Sequence, residues 1–324
     1  MKAIVRNVYG TADELEIKDI AIPEPGNDEV LIRVMAFGIN RAEIYMREGL
    51  WGDVAEISGI ECVGTVAGDP GGTLKIGQKV AAVMGGMGRT ISGSYAEYTC
   101  APRNNVIPLD SNLPWPELAA IPESYVTAWA CLYDNLRIDN CKSLVVRGGT
   151  SALGQAAINI AAAEGIDVIA TTRNKNRAVF LNSIGAREIM LDEPGLSDRV
   201  RKKLPAGVDA VLDIVGNTTL LDSLKMARKG ATVCSAGFLG GGDPIPFNPL
   251  TDMPPGVNLN FFASFMFGTP DFPLLGIPLQ KIVDNASENI YKCKPAHVFQ
   301  FDEIREAHRH MESNKACGKI VVAL

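Results

Sequence analysis

The residues with the most legible chemistry lie in one stretch, Val145-Val146-Arg147-Gly148-Gly149-Thr150-Ser151-Ala152-Leu153-Gly154. It reads as a buried strand, a turn of small residues and the start of an Ala-rich helix (Ala156, Ala157, Ala161, Ala162, Ala163). Such a turn lets the backbone N–H groups of Thr150, Ser151, Ala152, Leu153 and Gly154 approach a pyrophosphate at a helix N-terminus. The helix dipole adds about 0.3–1 kcal/mol for an anion held there. The pattern departs from Gly-x-Gly-x-x-Gly, since Ser151 stands where the middle glycine is expected. A tight strand-to-helix turn with no ligand would use the same small residues; the surrounding βαβ unit favours the dinucleotide.

A second group lies at the end of the next strand, Thr171-Thr172-Arg173. An NAD site places an Asp or Glu near here to accept from the ribose 2′-hydroxyl, and this stretch has none. Thr172, Arg173 and, one turn on, Arg177 are placed instead to face a 2′-phosphate. A charge-assisted pair of that kind contributes about 1.5–3 kcal/mol, a preference of roughly tenfold to a hundredfold. NADPH is therefore the expected cofactor, although two solvated arginines at a helix start would look alike in sequence.

The elements that must position these groups alternate from Ser143 to about Gly237. Strands are expected at Leu144–Val146, Val168–Thr171, Glu188–Leu191, Ala210–Asp213 and Thr232–Ser235, with helices over Ala152–Glu164, Lys175–Ser183 and Thr218–Arg228. Strands separated by helices imply right-handed crossovers and a parallel sheet. Before about Leu113 the chain is different. Glu29–Val34, Cys62–Val66, Lys79–Val83 and Gly93–Tyr98 read as strands punctuated by Gly and Pro. Tyr125–Leu136 carries a helical apolar stripe. A late helix (Asp302–Ser313) precedes a strand, Lys319–Val322, that can return to the first sheet. At 324 residues, two domains are expected.

A net charge of −6 argues against a nucleic-acid or anionic-membrane surface, both of which need clustered positive charge. No run of 18 apolar residues appears, so no membrane span is expected, and Met1–Val5 reads as a strand rather than a leader peptide. Seven scattered cysteines with no Cys-x-x-Cys pair fit a reduced, cytoplasmic setting, most of them as small core residues. His308 and His310, two apart, fall on different faces of one helix, and a surface reading is favoured over a metal site.

The sequence resembles the zinc-independent quinone oxidoreductases of the medium-chain dehydrogenase/reductase superfamily. The resemblance covers essentially the whole chain. It rests on Gly38-Ile39-Asn40 with Tyr45, Ser58–Gly64, Gly77-Gln78-Lys79-Val80, Gly93–Tyr98, the turn Gly148–Gly154, Ala307–Ser313 and Gly318-Lys319-Ile320-Val321. It implies an α/β protein: a GroES-like β-rich catalytic domain (residues 1–122 plus 262–324), a Rossmann doubly wound parallel-sheet domain binding NADPH (123–261), and a cleft between them. Zinc-dependent relatives carry a Cys ligand near Asn40 or Arg41 and Gly-His-Glu where this chain has Gly59-Ile60-Glu61, so no metal is expected. The resemblance also implies a homodimer through the edge of the Rossmann sheet.

By the same resemblance, Asn40 stands near the nicotinamide ribose, Thr127 contacts the nicotinamide region, Gly237 and Phe238 lie at the ligand crevice, and Phe262, Ala263 and Ser264 face the carboxamide. The implied reaction is hydride transfer to a quinone or enone, with no metal to stabilise the oxyanion. Tyr45, a ribose hydroxyl or water would supply the proton or hydrogen bond. Trp51 and Trp129 could wall the pocket for a flat substrate. Two further readings stand. One is a 2-enoyl-thioester or 2-alkenal reductase; Trp51 in place of that group's tyrosine donor disfavours the thioester. The other is a non-catalytic NADPH-binding redox sensor or binder of AU-rich RNA, the latter disfavoured by the acidic balance.

Overall fold

The computed structural model describes residues 1–324, and the chain divides into two compact units. The first comprises Met1–Val126, Ser264–Asn289 and Cys293–Leu324; the second comprises Thr127–Ala263 with Ile290–Lys292. The loan of Ile290–Lys292 to the second unit is absent from the division expected above.

The first unit begins with strands β1 (Lys2–Arg6), β2 (Leu15–Asp19) and β3 (Glu29–Ile39), then helix α1 (Arg41–Arg47). Strands β4 (Glu61–Gly68), β5 (Lys79–Val83), β6 (Tyr98–Pro102) and β7 (Val106–Pro108) follow, then helices α2 (Trp115–Ala119) and α3 (Pro122–Trp129). Alternation fixes which faces are buried. In β3, Val30, Ile32 and Val34 point into the core while Arg33 is exposed. They join Ile4, Leu15, Phe37, Val66, Val80 and Tyr95 in one apolar cluster.

The expected strand at Gly93–Tyr98 begins only at Tyr98. Gly93, Ser94 and Tyr95 instead bond the backbone of Ile57, Gly59 and Ser58. Consecutive Ser94 and Tyr95 are both fully buried, so the alternation that a half-buried strand needs is lost.

The second unit is a six-stranded parallel sheet. Its elements are β8 (Ser143–Arg147), α4 (Ala152–Ala163), β9 (Asp167–Thr172), α5 (Ala178–Ser183), β10 (Glu188–Leu191), α6 (Leu196–Lys203), β11 (Val208–Asp213), α7 (Leu220–Met226), β12 (Ala227–Ser235), α8 (Pro249–Asp252) and β13 (Asn258–Phe261). The strand order is β10-β9-β8-β11-β12-β13, every neighbour parallel. That is the doubly wound dinucleotide order, whose topology reverses between β8 and β11. Val145, Val211, Val233, Leu196, Val200 and Leu224 form the core of one face.

The chain then returns to the first unit with α9 (Leu279–Ser287), β14 (His297–Gln300), α10 (Ile304–Glu312) and β15 (Ile320–Ala323). β15 pairs antiparallel with β3 and parallel with β14, completing a seven-stranded sheet. No helix is long and apolar enough to cross a membrane.

His308 departs from its expected surface place. It is fully buried, and its Nε2 meets the Tyr95 hydroxyl at 3.0 Å. It shares the inward face of α10 with Ile304 and Ala307, at helical spacing. His310 packs edge-on against His297, ring centroids 4.1 Å apart. Three cysteines (Cys62, Cys131, Cys234) are buried and four are partly exposed, so most are not core residues as expected.

Candidate active site

The turn after β8 is built as the sequence suggests. Ser151 is the N-cap of α4: its hydroxyl accepts from Gly154 N at 3.0 Å and donates to Gly148 O at 2.8 Å. The cap satisfies the Gly154 N–H, while Ala152 and Leu153 lie in the first turn, whose N–H groups have no helical acceptor. Gly154 is required by close approach: a Cβ there would collide with the Gly148 carbonyl. The serine in the middle-glycine position is thus the device that closes the turn. Thr171 ties the turn to the next strand, its Oγ1 accepting from Gly148 N at 3.1 Å and its carbonyl from Gly149 N.

At the end of β9, Thr172 is buried and its Oγ1 accepts from Asn174 N at 3.1 Å. Arg173 is exposed and Arg177 half-buried, both in the short segment between β9 and α5. No carboxylate of this segment lies beside them.

Beneath this corner lies a charge cluster that the sequence reading did not single out. Arg147, at the last position of β8, is buried. Its guanidinium grips Asp192 through Nε and Nη2, the latter at 2.6 Å, and donates from Nη1 to Asp222 at 2.9 Å and to Ser223 Oγ and Thr219 O at 3.1 Å. Asp213, at the end of β11, accepts from Val215 N and Gly216 N at 2.9 Å and from Ser223 and Thr219. Burial raises its pKa against these bonds. The available signal was a charge closing an otherwise apolar strand, Leu144-Val145-Val146-Arg147.

The first unit holds its own cluster around Asn40, the residue before α1. Lys319 Nζ bonds Asn40 Oδ1 and Glu61 Oε1, and Asn40 Nδ2 donates to Glu61 Oε1 at 2.9 Å. Glu61 Oε2 accepts from Glu123 N at 2.8 Å. Glu43 Oε2 accepts from Asn40 N at 2.8 Å, and its Oε1 from Ile60 N at 3.1 Å. Glu43, Glu61 and Lys319 are all buried. Gly38 leaves the space, since a Cβ there would strike Lys319 and Glu61. Burial lifts the Glu43 carboxyl to about 7, Lys319 holding it back in part. For Lys319 burial opposes the charge, but Glu61, Glu123 and Glu43 outweigh it and its pKa is raised. Again the signal was a charge bounding an apolar run: Glu61 before Cys62-Val63, and Lys319 before Ile320-Val321-Val322.

Two family models match the chain: one described as zinc-binding dehydrogenase over residues 152–277, and one described as alcohol dehydrogenase GroES-like domain over residues 26–111. The human protein named quinone oxidoreductase is 28% identical over 335 residues, covering 100% of this chain and 98% of its own. The chain belongs to the medium-chain dehydrogenase/reductase superfamily and is similar over its whole length to the quinone oxidoreductases within it. Among solved structures, mycobacterial Rv1454c complexed with NADPH superposes with a TM-score of 0.88 at 24% identity, covering 100% of both chains. CurK enoyl reductase superposes at 0.84 with 21% identity, covering 99% of this chain and 98% of its own. These two likenesses show the shared fold.

The remaining residues singled out for this quinone oxidoreductase relative fall in both units. In the first, Tyr45 and Trp51 meet at 5.8 Å between ring centroids, and Arg89 lies over Trp51. Trp51 is exposed and Tyr45 half-buried, its pKa raised by burial. In the second, Thr127 is buried within α3, and Trp129 stacks on Tyr133 at 4.0 Å. Gly237 and Phe238 follow β12, and Phe238 meets Phe261 at 5.9 Å. Phe262 is buried, its N–H on Ser235 O at 3.0 Å. Ala263 ends the long segment of the second unit and Ser264 reopens the first.

Proposed function

We propose that this oxidoreductase uses NADPH, needs no zinc, and reduces quinones or α,β-unsaturated carbonyl compounds. The observation that carries the reading is the Ser151-capped turn at the head of α4, next to a β9 end that bears Arg173 and Arg177 and no acid. The turn fits a diphosphate: the Ala152 and Leu153 N–H groups sit at a helix start, and Gly154 lets that start pack against Gly148 and Gly149. Thr150, Ala152 and Leu153 would donate to that diphosphate, Ser151 and Gly154, whose N–H groups bond Gly148 O and Ser151 Oγ, would shape the turn around it, and Thr172, Arg173 and Arg177 would hold the 2′-phosphate. The nicotinamide cofactor supplies the hydride when bound.

In this reading the chain's own residues orient and exclude. Asn40, its amide fixed by Lys319, Glu61 and Glu43, would present an oriented side chain to the nicotinamide ribose. Thr127, Gly237, Phe238, Phe262, Ala263 and Ser264 line the nicotinamide end. Tyr45 donates a hydrogen bond to the substrate oxygen, since its raised pKa keeps the phenol protonated at neutral pH. Trp51 and Trp129 give apolar surface for a flat ring. The first unit would form the catalytic portion and the second the cofactor portion, with boundaries at Val126/Thr127 and Ala263/Ser264 in place of the expected 122/123 and 261/262.

The donor chemistry supports working without zinc. Ile60, buried in the Gly-Ile-Glu segment, cannot ligate, and an ammonium, that of Lys319, sits on Asn40 and Glu61 where a cation would be needed. A homodimer through β13 belongs to the same reading: β13 is an edge strand carrying exposed Leu259 and Phe261. So does a reducing, cytoplasmic setting.

Calorimetry with NADPH and NADH tests the cofactor; tighter NADH binding overturns it. Oxidation of NADPH with 1,4-naphthoquinone, an alkenal and crotonyl-CoA in parallel, with and without a chelator, tests the reaction. The quinone or alkenal is expected to react, with no loss to the chelator. Turnover of crotonyl-CoA above the others transfers the chain to the thioester reductases, and tight NADPH binding with no turnover to the sensors.

A further inference from the structure

Asp192 follows β10, and its backbone N–H bonds Thr172 O at 2.9 Å. It therefore stands beside the end of β9, where an NAD site keeps the carboxylate that accepts from the ribose 2′-hydroxyl. The acid missing from β9 is brought to the same corner by the neighbouring strand. Its carboxylate, however, is engaged: Arg147 takes both oxygens, and Thr171 Oγ1 donates to Oδ2 at 3.1 Å. The side chain is 12% exposed. Arg147 is itself anchored from the other side by Asp222, Ser223 and Thr219. A forked guanidinium between two carboxylates both turns Asp192 inward and neutralises it.

We propose that Arg147 is a specificity-determining positioning residue: by clamping Asp192 it withholds a ribose acceptor and removes a negative charge that would oppose a 2′-phosphate. The proposal rests on the NADPH reading above. Releasing the clamp frees Asp192 beside Thr172, favouring a 2′-hydroxyl and opposing a phosphate. Because Thr171 Oγ1 also holds Gly148 N, loss of Arg147 can loosen the diphosphate turn as well. That second effect weakens both cofactors alike, so the ratio of their affinities isolates the clamp.

The experiment is calorimetric titration of the full chain with NADPH and with NADH, in the unmodified protein, Arg147→Gln, Asp192→Asn and the double variant. Arg147→Gln is expected to lower the NADPH-over-NADH preference about tenfold or more, and the double variant to restore it to within about threefold of the unmodified protein. Asp192→Asn alone leaves the preference unchanged or raises it. Equal weakening of both cofactors in Arg147→Gln, or a fall in NADPH preference in Asp192→Asn, overturns the proposal. Should Arg147→Gln fail to fold, the Asp192→Asn ratio decides by the same rule. An unmodified protein that prefers NADH defeats the cofactor reading itself; one that prefers NADPH, with a ratio the variants do not move as stated, defeats only the clamp.

Discussion

The two units each bury a cation among carboxylates, and they do it with different chemistry. In the second unit Arg147 spreads its donors over Asp192, Asp222, Ser223 and Thr219, all on strand ends or the α7 start. In the first unit Lys319, a point charge on the segment entering β15, meets Glu61 and Asn40, with Glu43 close by. A planar fork matches several acceptors at fixed angles, whereas an ammonium supplies charge with little directional demand. The arginine cluster suits holding a loop in register. The lysine cluster suits balancing charge in an interior where one acid, Glu43, titrates near 7.

The comparison is broken most directly by removing the lysine. Lys319→Met strands Glu61 without its cation, and a loss of about 3–5 kcal/mol is expected in denaturant unfolding. Adding Glu61→Gln to it is expected to return much of that. A loss no larger than that of an exposed ion pair would show that the cluster does not hold the first unit. Next in size is the exposed end of the second unit. Arg173→Ala with Arg177→Ala is expected to weaken NADPH by about 1.5–3 kcal/mol and leave NADH unchanged, read by calorimetry.

pH sharpens the contrast within the first unit. Burial, with Arg47 nearby, lowers His308 from 6.5 to about 3. Between those values the unfolded chain binds the extra proton, so stability contributed by neutral His308 is lost as pH falls, at up to about 1.4 kcal/mol per pH unit. Glu43 runs the other way: raised from 4.5 to about 7, it contributes stability present below 4.5 and lost as pH rises through 7. Thermal midpoints measured across this range are expected to show an acid limb that His308→Gln flattens and a neutral limb that Glu43→Gln flattens. The smallest effect is Ser151→Ala, which removes the α4 cap at about 1 kcal/mol and weakens both cofactors together.

The parallel sheet was legible because each strand is a short apolar run between helical stretches, and the turn because small residues cluster where a backbone must come close. The site in the first unit was less legible. Its buried charges, Glu43, Glu61 and Lys319, lie far apart in sequence and meet only when β15 joins β3. Asn40 was singled out by resemblance, but not the ammonium and carboxylate that occupy its amide. Asp192 is hard to read in sequence for a related reason: the dinucleotide pattern places its acid at the end of β9, whereas here a parallel neighbour delivers one to the same place. His308 was misplaced although the helical period was available, because a polar residue on an inward stripe reads as surface unless its buried partner, Tyr95, is known.

The pairing of β15 with Ala36–Ile39 of β3 has a consequence for biogenesis. During synthesis that stretch of β3 emerges early and waits, an uncovered edge, while nearly the whole polypeptide is translated. The nucleotide-binding sheet, whose strands are contiguous in the message, can assemble in the meantime. Maturation on the ribosome therefore inverts the order of the genetic text, and truncation just before Ile320 would leave a finished second unit tethered to an aggregation-prone first one.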